Sequence, residues 1–267
     1  MPDRNRTVVL IHGLWMTPAS WERFTRRYIE RGHPVLAPRW PRLRGALADI
    51  RRDASVLDGL GIEEIVEHYE GVIRPLSPPP IIIGHCLGGL CVQLLLDRGL
   101  GAAGVAIDAP APSGVRRAPW SQVRSMWPVL RDPRNRIRTV ALTFGQFRYA
   151  FANGMSEADA RTAYAGEAIP GPGRPVFEAA FGGLHRNGAT RVDYRNHTRA
   201  PLLLVAGEHD HLVPASVTRA SHDKYQHAGA VTAFKEFSGR SHLIICQTGW
   251  EEVADDTLAW ALQQVGS

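Results

Sequence analysis

Cys86 stands in Gly84-His85-Cys86-Leu87-Gly88-Gly89, directly after the apolar run Ile81-Ile82-Ile83 and directly before Leu90-Cys91-Val92-Gln93-Leu94-Leu95. An apolar strand, a glycine-flanked turn and a helix in this order can hold a nucleophile on a strained backbone. A β-carbon at either flanking glycine would collide with the neighbouring strand and helix. The sulfur then points out of the sheet at the positive end of a helix, which favours thiolate chemistry. Cys91 and Cys246 have no such setting and read as small buried hydrophobes. The chain's 3 cysteines do not make a disulfide framework and lack the paired spacing of zinc ligands, so no metal site is expected and at least one thiol should stay free.

The elements that must position this residue follow from the apolar pattern. Short apolar runs at 8–11, 35–37, 81–83, 105–107, 202–206 and 231–234 are bounded by Gly and Pro and alternate with amphipathic stretches at 18–30, 62–73, 88–98, 216–227 and 250–264. That alternation predicts an α/β fold: a mostly parallel sheet of about six strands, covered by helices on both faces. Thr17 followed by Pro18 reads as the N-cap and first position of the first helix. The alternation breaks between 112 and 199, where Pro, Arg and aromatic residues surround helix-like pieces at 120–130, 143–153 and 156–164. This segment reads as a helical cap inserted into a core formed by residues 1–111 and 200–267. Open α/β sheets bind ligands at the carboxyl ends of their strands, so a cap lying there presents some of its aromatics to a ligand, with Trp127, Phe147 and Phe151 as candidates.

Composition limits the function classes. A chain of 267 residues with 44% apolar and 21% charged residues can bury a large single core, and no segment reaches the roughly 18 uninterrupted apolar residues of a membrane span. Met1 to Arg6 runs straight into the first apolar run, without the apolar stretch and cleavage site of a signal peptide, so a cytoplasmic location is expected. The net charge of +5 comes from 31 basic against 26 acidic residues. The arginines are scattered, densest from Arg116 to Arg138, and accompany no nucleic-acid motif; neither a nucleic-acid nor a membrane partner is expected.

Together, the first strand with His12-Gly13, the elbow at Cys86, a late Asp and a later His resemble the α/β-hydrolase superfamily over nearly the whole chain. The compact start, and Val-Leu-Ile-His-Gly followed by Ser20-Trp21, is similar to its small esterase and hydroxynitrile-lyase branch. The resemblance implies the remaining site residues. Leu202-Leu203-Leu204-Val205-Ala206-Gly207 is followed by an acid loop in which Asp210 matches the family's acid, with Glu208 as the alternative; His242, after the last strand, matches the general base. The order Cys86, Asp210, His242 is that of nucleophile, acid and histidine in this fold. Resemblance also implies an oxyanion hole from the backbone N–H groups of Leu87 and Leu14, with Trp15 and Met16 lining the pocket beside them. His85 is read as a packed residue at the pocket's base.

Cysteine at a place where most members carry serine changes the expected chemistry. The intermediate would be a thioester, which reacts more readily with amines and thiols than with water. The expected function is acyl transfer without a cofactor: hydrolysis of an ester, lactone or thioester of a hydrophobic acyl group, free or carrier-bound. The alternatives are transfer or cyclisation onto an amine or alcohol, a serine hydrolase carrying a Ser→Cys substitution, a carbon–carbon lyase, and a hydrolase-like receptor. A lysine-dependent lyase is disfavoured because no lysine precedes Lys224. A monomer or homodimer is expected.

Overall fold

A computed structural model describes residues 6–182, 188–227 and 229–266. The leader expectation rests on residues 1–6, of which 1–5 lie outside the described residues. In chain order, β1 (Val8–Ile11) leads through a short 3-10 turn (Pro18–Trp21) to α1 (Glu22–Glu30), β2 (Val35–Leu36), α2 (Leu47–Arg52) and α3 (Ile62–Ile73). Next come β3 (Ile81–His85), α4 (Leu87–Asp97) and β4 (Ala103–Ile107). The inserted stretch carries α5 (Trp120–Leu130), β5 (Thr139–Val140), α6 (Phe144–Ala150), α7 (Glu157–Glu167), β6 (Gly171–Pro172) and α8 (Arg174–Phe181). The chain then returns through β7 (Leu202–Gly207), α9 (Ala215–Tyr225), β8 (Thr232–Phe237) and α10 (Trp250–Val265).

The main sheet has six strands in the order β2-β1-β3-β4-β7-β8, and every neighbouring pair is parallel. A parallel sheet must be covered on both faces, and the strands alternate their side chains accordingly. Val8, Leu10, Ile81, Ile83, Val105 and Ile107 pack with Trp21, Phe24 and Tyr28 of the first helical segment and with Val253 and Leu258 of α10. Their neighbours Val9, Ile11, Ile82 and Ala106 point the other way, into a core shared with α3, α4 and α9. Register does the functional work. Ile11 pairs with Gly84, His85 with Ile107, Ile107 with Val205, and Gly207 with Phe237. Residues just past these positions therefore meet along one carboxyl edge of the sheet: His12 and Gly13, Cys86, Asp108, Asp210 and His242.

Two local details differ from the sequence reading. The expected 18–30 helix begins as the 3-10 turn, where Thr17 Oγ1 accepts the Ala19 N–H at 3.3 Å, and becomes α-helical only at Glu22. The sequence reading also left out α2, α8 and the β5–β6 ribbon. Residues 169–175 read Ile-Pro-Gly-Pro-Gly-Arg-Pro, which signals a loop, yet Pro175 sits in the first turn of α8, where its missing N–H costs nothing. In α2 a single side chain, Ile50, is buried, so there is no periodicity to read.

Candidate active site

Strand β3 runs into Cys86, whose backbone adopts φ 54 and ψ −128 before α4 begins at Leu87. A non-glycine residue there is strained and persists only because its surroundings over-determine it. Those surroundings are tight. A β-carbon on Gly84 would lie 2.2 Å from the Gly88 carbonyl oxygen, and one on Gly88 would lie 2.1 Å from that of Ile11. A β-carbon on Gly13 would lie 2.7 Å from the Cys86 β-carbon, so the β1 loop passes directly against the elbow. The Cys86 N–H is fixed by the Ile107 carbonyl at 2.9 Å.

Asp210 and His242 come together fully buried, with Asp210 Oδ2 2.6 Å from His242 Nδ1. The other carboxylate oxygen, Oδ1, accepts the N–H groups of Leu212 at 2.7 Å and Val213 at 2.8 Å, which locks the acid's orientation. Burial alone would lower the His242 pKa. The Asp210 and Cys86 charges and their hydrogen bonds outweigh it and hold the ring well above its ordinary value. With Nδ1 committed to Asp210, Nε2 remains buried without a partner of full hydrogen-bond geometry, and the thiol acting on it is that of Cys86. The Leu243 N–H, donating to the Phe151 carbonyl at 3.0 Å, ties the histidine loop to the end of α6. Glu208 is elsewhere: its carboxylate is exposed and accepts from Ser238 Oγ at 2.5 Å and the Gly239 N–H at 2.8 Å. Those bonds lower its pKa.

An apolar cavity of about 400 Å³, mouth included, opens above Cys86. From the sheet edge it is lined by Leu14, Trp15 and Leu87, and from the inserted stretch by Met126 of α5 with Pro175 and Val176 of α8. Leu14, Leu87 and Trp15 thus meet Cys86 as their sequence positions suggest. Trp15 is fixed at φ 64, and its indole donates to the Val140 carbonyl at 2.9 Å. Five pocket candidates lie elsewhere. Trp127 is 58% exposed and outside the cavity lining; one helical position earlier, Met126 turns inward in its place. Met16 is buried in the core, away from the lining. Phe147 and Phe151 are stacked on each other at 4.9 Å, and Phe151 meets His242 and Trp15 in T-shaped contacts, so both support the site from behind. His85 is buried beneath the site, where Nε2 donates to the His242 carbonyl at 2.7 Å. Burial and the neighbouring His242 push its pKa well down, so the ring is neutral.

One buried charge-bearing residue at this edge was missed. Asp108 follows β4 directly and is completely buried at φ 46. The signal was present in the sequence: an apolar strand that ends on a carboxylate at the same edge as Cys86. Ligating atoms of His85, Asp108 and His242 lie within 4.8 Å of one another. Within this group His242 Nδ1 and His85 Nε2 are engaged by Asp210 and by a backbone carbonyl, while His242 Nε2, His85 Nδ1 and Asp108 Oδ2 have no hydrogen-bond partner among the described residues.

Comparison with known proteins agrees with this architecture. Comparison with curated protein sequences gives no match. Among solved structures, a monoacylglycerol lipase of Paleococcus ferrophilus is 21% identical, with a TM-score of 0.67 over 97% of this chain and 94% of that one. An extracellular α/β-hydrolase from a Paenibacillus species is 21% identical, with a TM-score of 0.68 over 95% and 98%. A thermophilic esterase of Thermogutta terrifontis is 16% identical, with a TM-score of 0.68 over 98% and 91%. The family model described as "Alpha/beta hydrolase family" matches residues 8–256, nearly the entire chain, and the chain belongs to that family.

Proposed function

We propose that this chain is an acyl-transfer enzyme working through a Cys86–His242–Asp210 triad, and that it hydrolyses an ester, lactone or thioester of a small hydrophobic acyl group. The observation that carries the reading is the strained cysteine at the elbow, at the floor of an apolar cavity and beside a buried histidine bonded to Asp210 at 2.6 Å. His242 Nε2 takes the thiol proton, and Asp210 holds the resulting imidazolium in place. The sulfur attacks the acyl carbonyl. The N–H groups of Leu87 and Leu14 stabilise the oxyanion, and His242 returns its proton to the leaving oxygen or sulfur. A water deprotonated by the same Nε2 then cleaves the thioester and restores the free thiol. Residues 112–199 act as the cap whose α5 and α8 close the acyl site. The apolar lining also supports a second reading, in which a bound amine or alcohol takes the acyl group before water does.

Iodoacetamide with peptide mapping tests the nucleophile. Burial pushes the thiols of Cys91 and Cys246 up to about 12. Alkylation near neutral pH should therefore reach Cys86 first and abolish turnover of an activated ester in proportion to labelling. Loss of activity with Cys86 unmodified would refute the assignment. On the same substrate, an acyl-enzyme visible by intact mass in the native protein, together with a gain in turnover for Cys86→Ser, would identify a serine hydrolase carrying a substituted nucleophile. An added amine that diverts the acyl group from free acid to amide would favour transfer over hydrolysis.

A further inference from the structure

Two carboxyls, on different strands, approach His242. Asp210 comes from the loop after β7 and bonds Nδ1; Asp108 comes from the end of β4, with its ligating atom within 4.8 Å of one on His242. Asp108 Oδ1 accepts the Gly207 N–H at 2.7 Å, while Oδ2 is buried with no partner among the described residues. A buried carboxyl oxygen left unpaired, on a residue held at positive φ, is costly and calls for a functional account. On the reading that His242 is the base, we propose that Asp108 is a second positioning carboxyl for His242, one that holds the imidazole's charge when Asp210 cannot.

The electrostatics give this arrangement a definite form. Asp108 faces Asp210 after β7, His242 after β8, and His85 and Cys86 at the end of β3. Burial first, and then the Asp210 charge, hold Asp108 well above the usual carboxylate range, against the opposing pull of His242 and the Gly207 N–H. Its own burial and the Asp210 carboxyl beside it thus hold Asp108 toward its protonated form. Replacing Asp210 by Asn removes the Asp210 charge and its repulsion. Asp108 then releases its O–H proton to bulk water as pH rises, and the carboxylate left behind faces the same ring. No other bond is made or broken.

The test compares Asp210→Asn, Asp108→Asn and the double variant in two ways. One is hydrolysis of p-nitrophenyl acetate from about pH 5 to about pH 10; the other is the low-field proton NMR signal of the His242 Nδ1–H. Asn at 210 keeps an oxygen for the Leu212 and Val213 N–H groups, and Asn at 108 keeps one for Gly207. Asp210→Asn should lose about 100-fold, against the ~10⁴ that loss of a triad acid can cost. Its residual rate should rise with pH along an ionisation absent from the parent, and the Nδ1 signal should persist above that step. The double variant should lose at least another ~100-fold, the pH step and the signal, because no acid remains to orient the base. Equal rates and equally flat profiles in the single and double variants would overturn the proposal, as would disappearance of the signal in Asp210→Asn at every pH. If the double variant does not fold, the pH step and the signal in Asp210→Asn decide alone. A parent protein that hydrolyses no acyl substrate would overturn the proposed function, and the NMR comparison would still decide the role of Asp108.

Discussion

Which carboxylate serves His242 turns on where the hydrogen bonds of each one go. Asp210 is turned toward the ring because two backbone N–H groups hold its other oxygen, whereas Glu208, two residues earlier, is spent on Ser238 and Gly239 at the surface. Glu208→Gln should therefore keep turnover within about threefold of the parent, since an exposed group of this kind contributes little beyond its local turn. His242→Ala should lower kcat by several orders of magnitude, on the ~10⁴ scale of a disabled triad. Measuring kcat for both variants on one activated ester checks this, and a large loss in Glu208→Gln would move the acid assignment. The raised His242 pKa also fixes a sign. The stability that the ring gains from Asp210 is fully present below its unfolded value and is lost as pH rises through the folded one.

At the scale of elements, the sequence was most informative for the buried central strands. β1, β3, β4 and β7 appear within two residues of their expected limits, because each is a buried parallel strand with nearly continuous Val, Ile, Leu and Ala. α2 and α8 escaped because their stabilising contacts are tertiary: Arg51 donates to the Ala165 and Ala168 carbonyls, and Glu178 accepts the Ile62 N–H. The elbow makes a direct prediction. In Gly88→Ala the new methyl would lie 2.1 Å from the Ile11 carbonyl oxygen, backbone that cannot yield without disturbing β1. The cost should be about 3 kcal/mol or more, visible as a lower thermal midpoint or loss of soluble protein. A second concerns the end of α7, where burial and the nearby Glu22 raise Glu167 to about 7 and leave Oε2 without a partner. A carboxyl raised above its unfolded value of 4.5 destabilises the fold when it ionises. Glu167→Gln should thus melt with the parent near pH 4 and gain about 1–3 kcal/mol above pH 7, the advantage growing in between. An equal shift at both pH values would refute the assigned cause.

For the whole molecule, the candidate catalytic residues sit at the sheet's carboxyl edge, and the stretch between β4 and β7 closes the cavity above Cys86. The catalytic candidates were legible because they sit at strand ends with strong local patterns. The cavity lining was not, because the sequence does not show which side of a half-buried helix turns inward. On α5 the large aromatic Trp127 faces outward and the flexible Met126 faces Cys86, the reverse of an argument from aromatic content. Met126 on α5 and Val176 on α8 approach the cavity from the insertion, opposite Leu14 and Leu87 of the core. The enclosed room above Cys86 is only about 30 Å³, which suits a short acyl chain and closes on a long one. Across p-nitrophenyl esters, kcat/KM should accordingly peak at short chains and fall for long ones. Val176→Trp, which fills the space from α8 without touching Cys86, Asp210 or His242, should sharpen that preference. Acetate turnover should stay within a few-fold of the parent, while butyrate and longer esters lose at least about tenfold, the lower end of the 1–3 kcal/mol that a misfit methylene costs a pocket. A uniform loss across all chain lengths would mean that the tryptophan disturbs the elbow itself. An unchanged profile would mean that the acyl group lies somewhere other than between α5, α8 and Cys86.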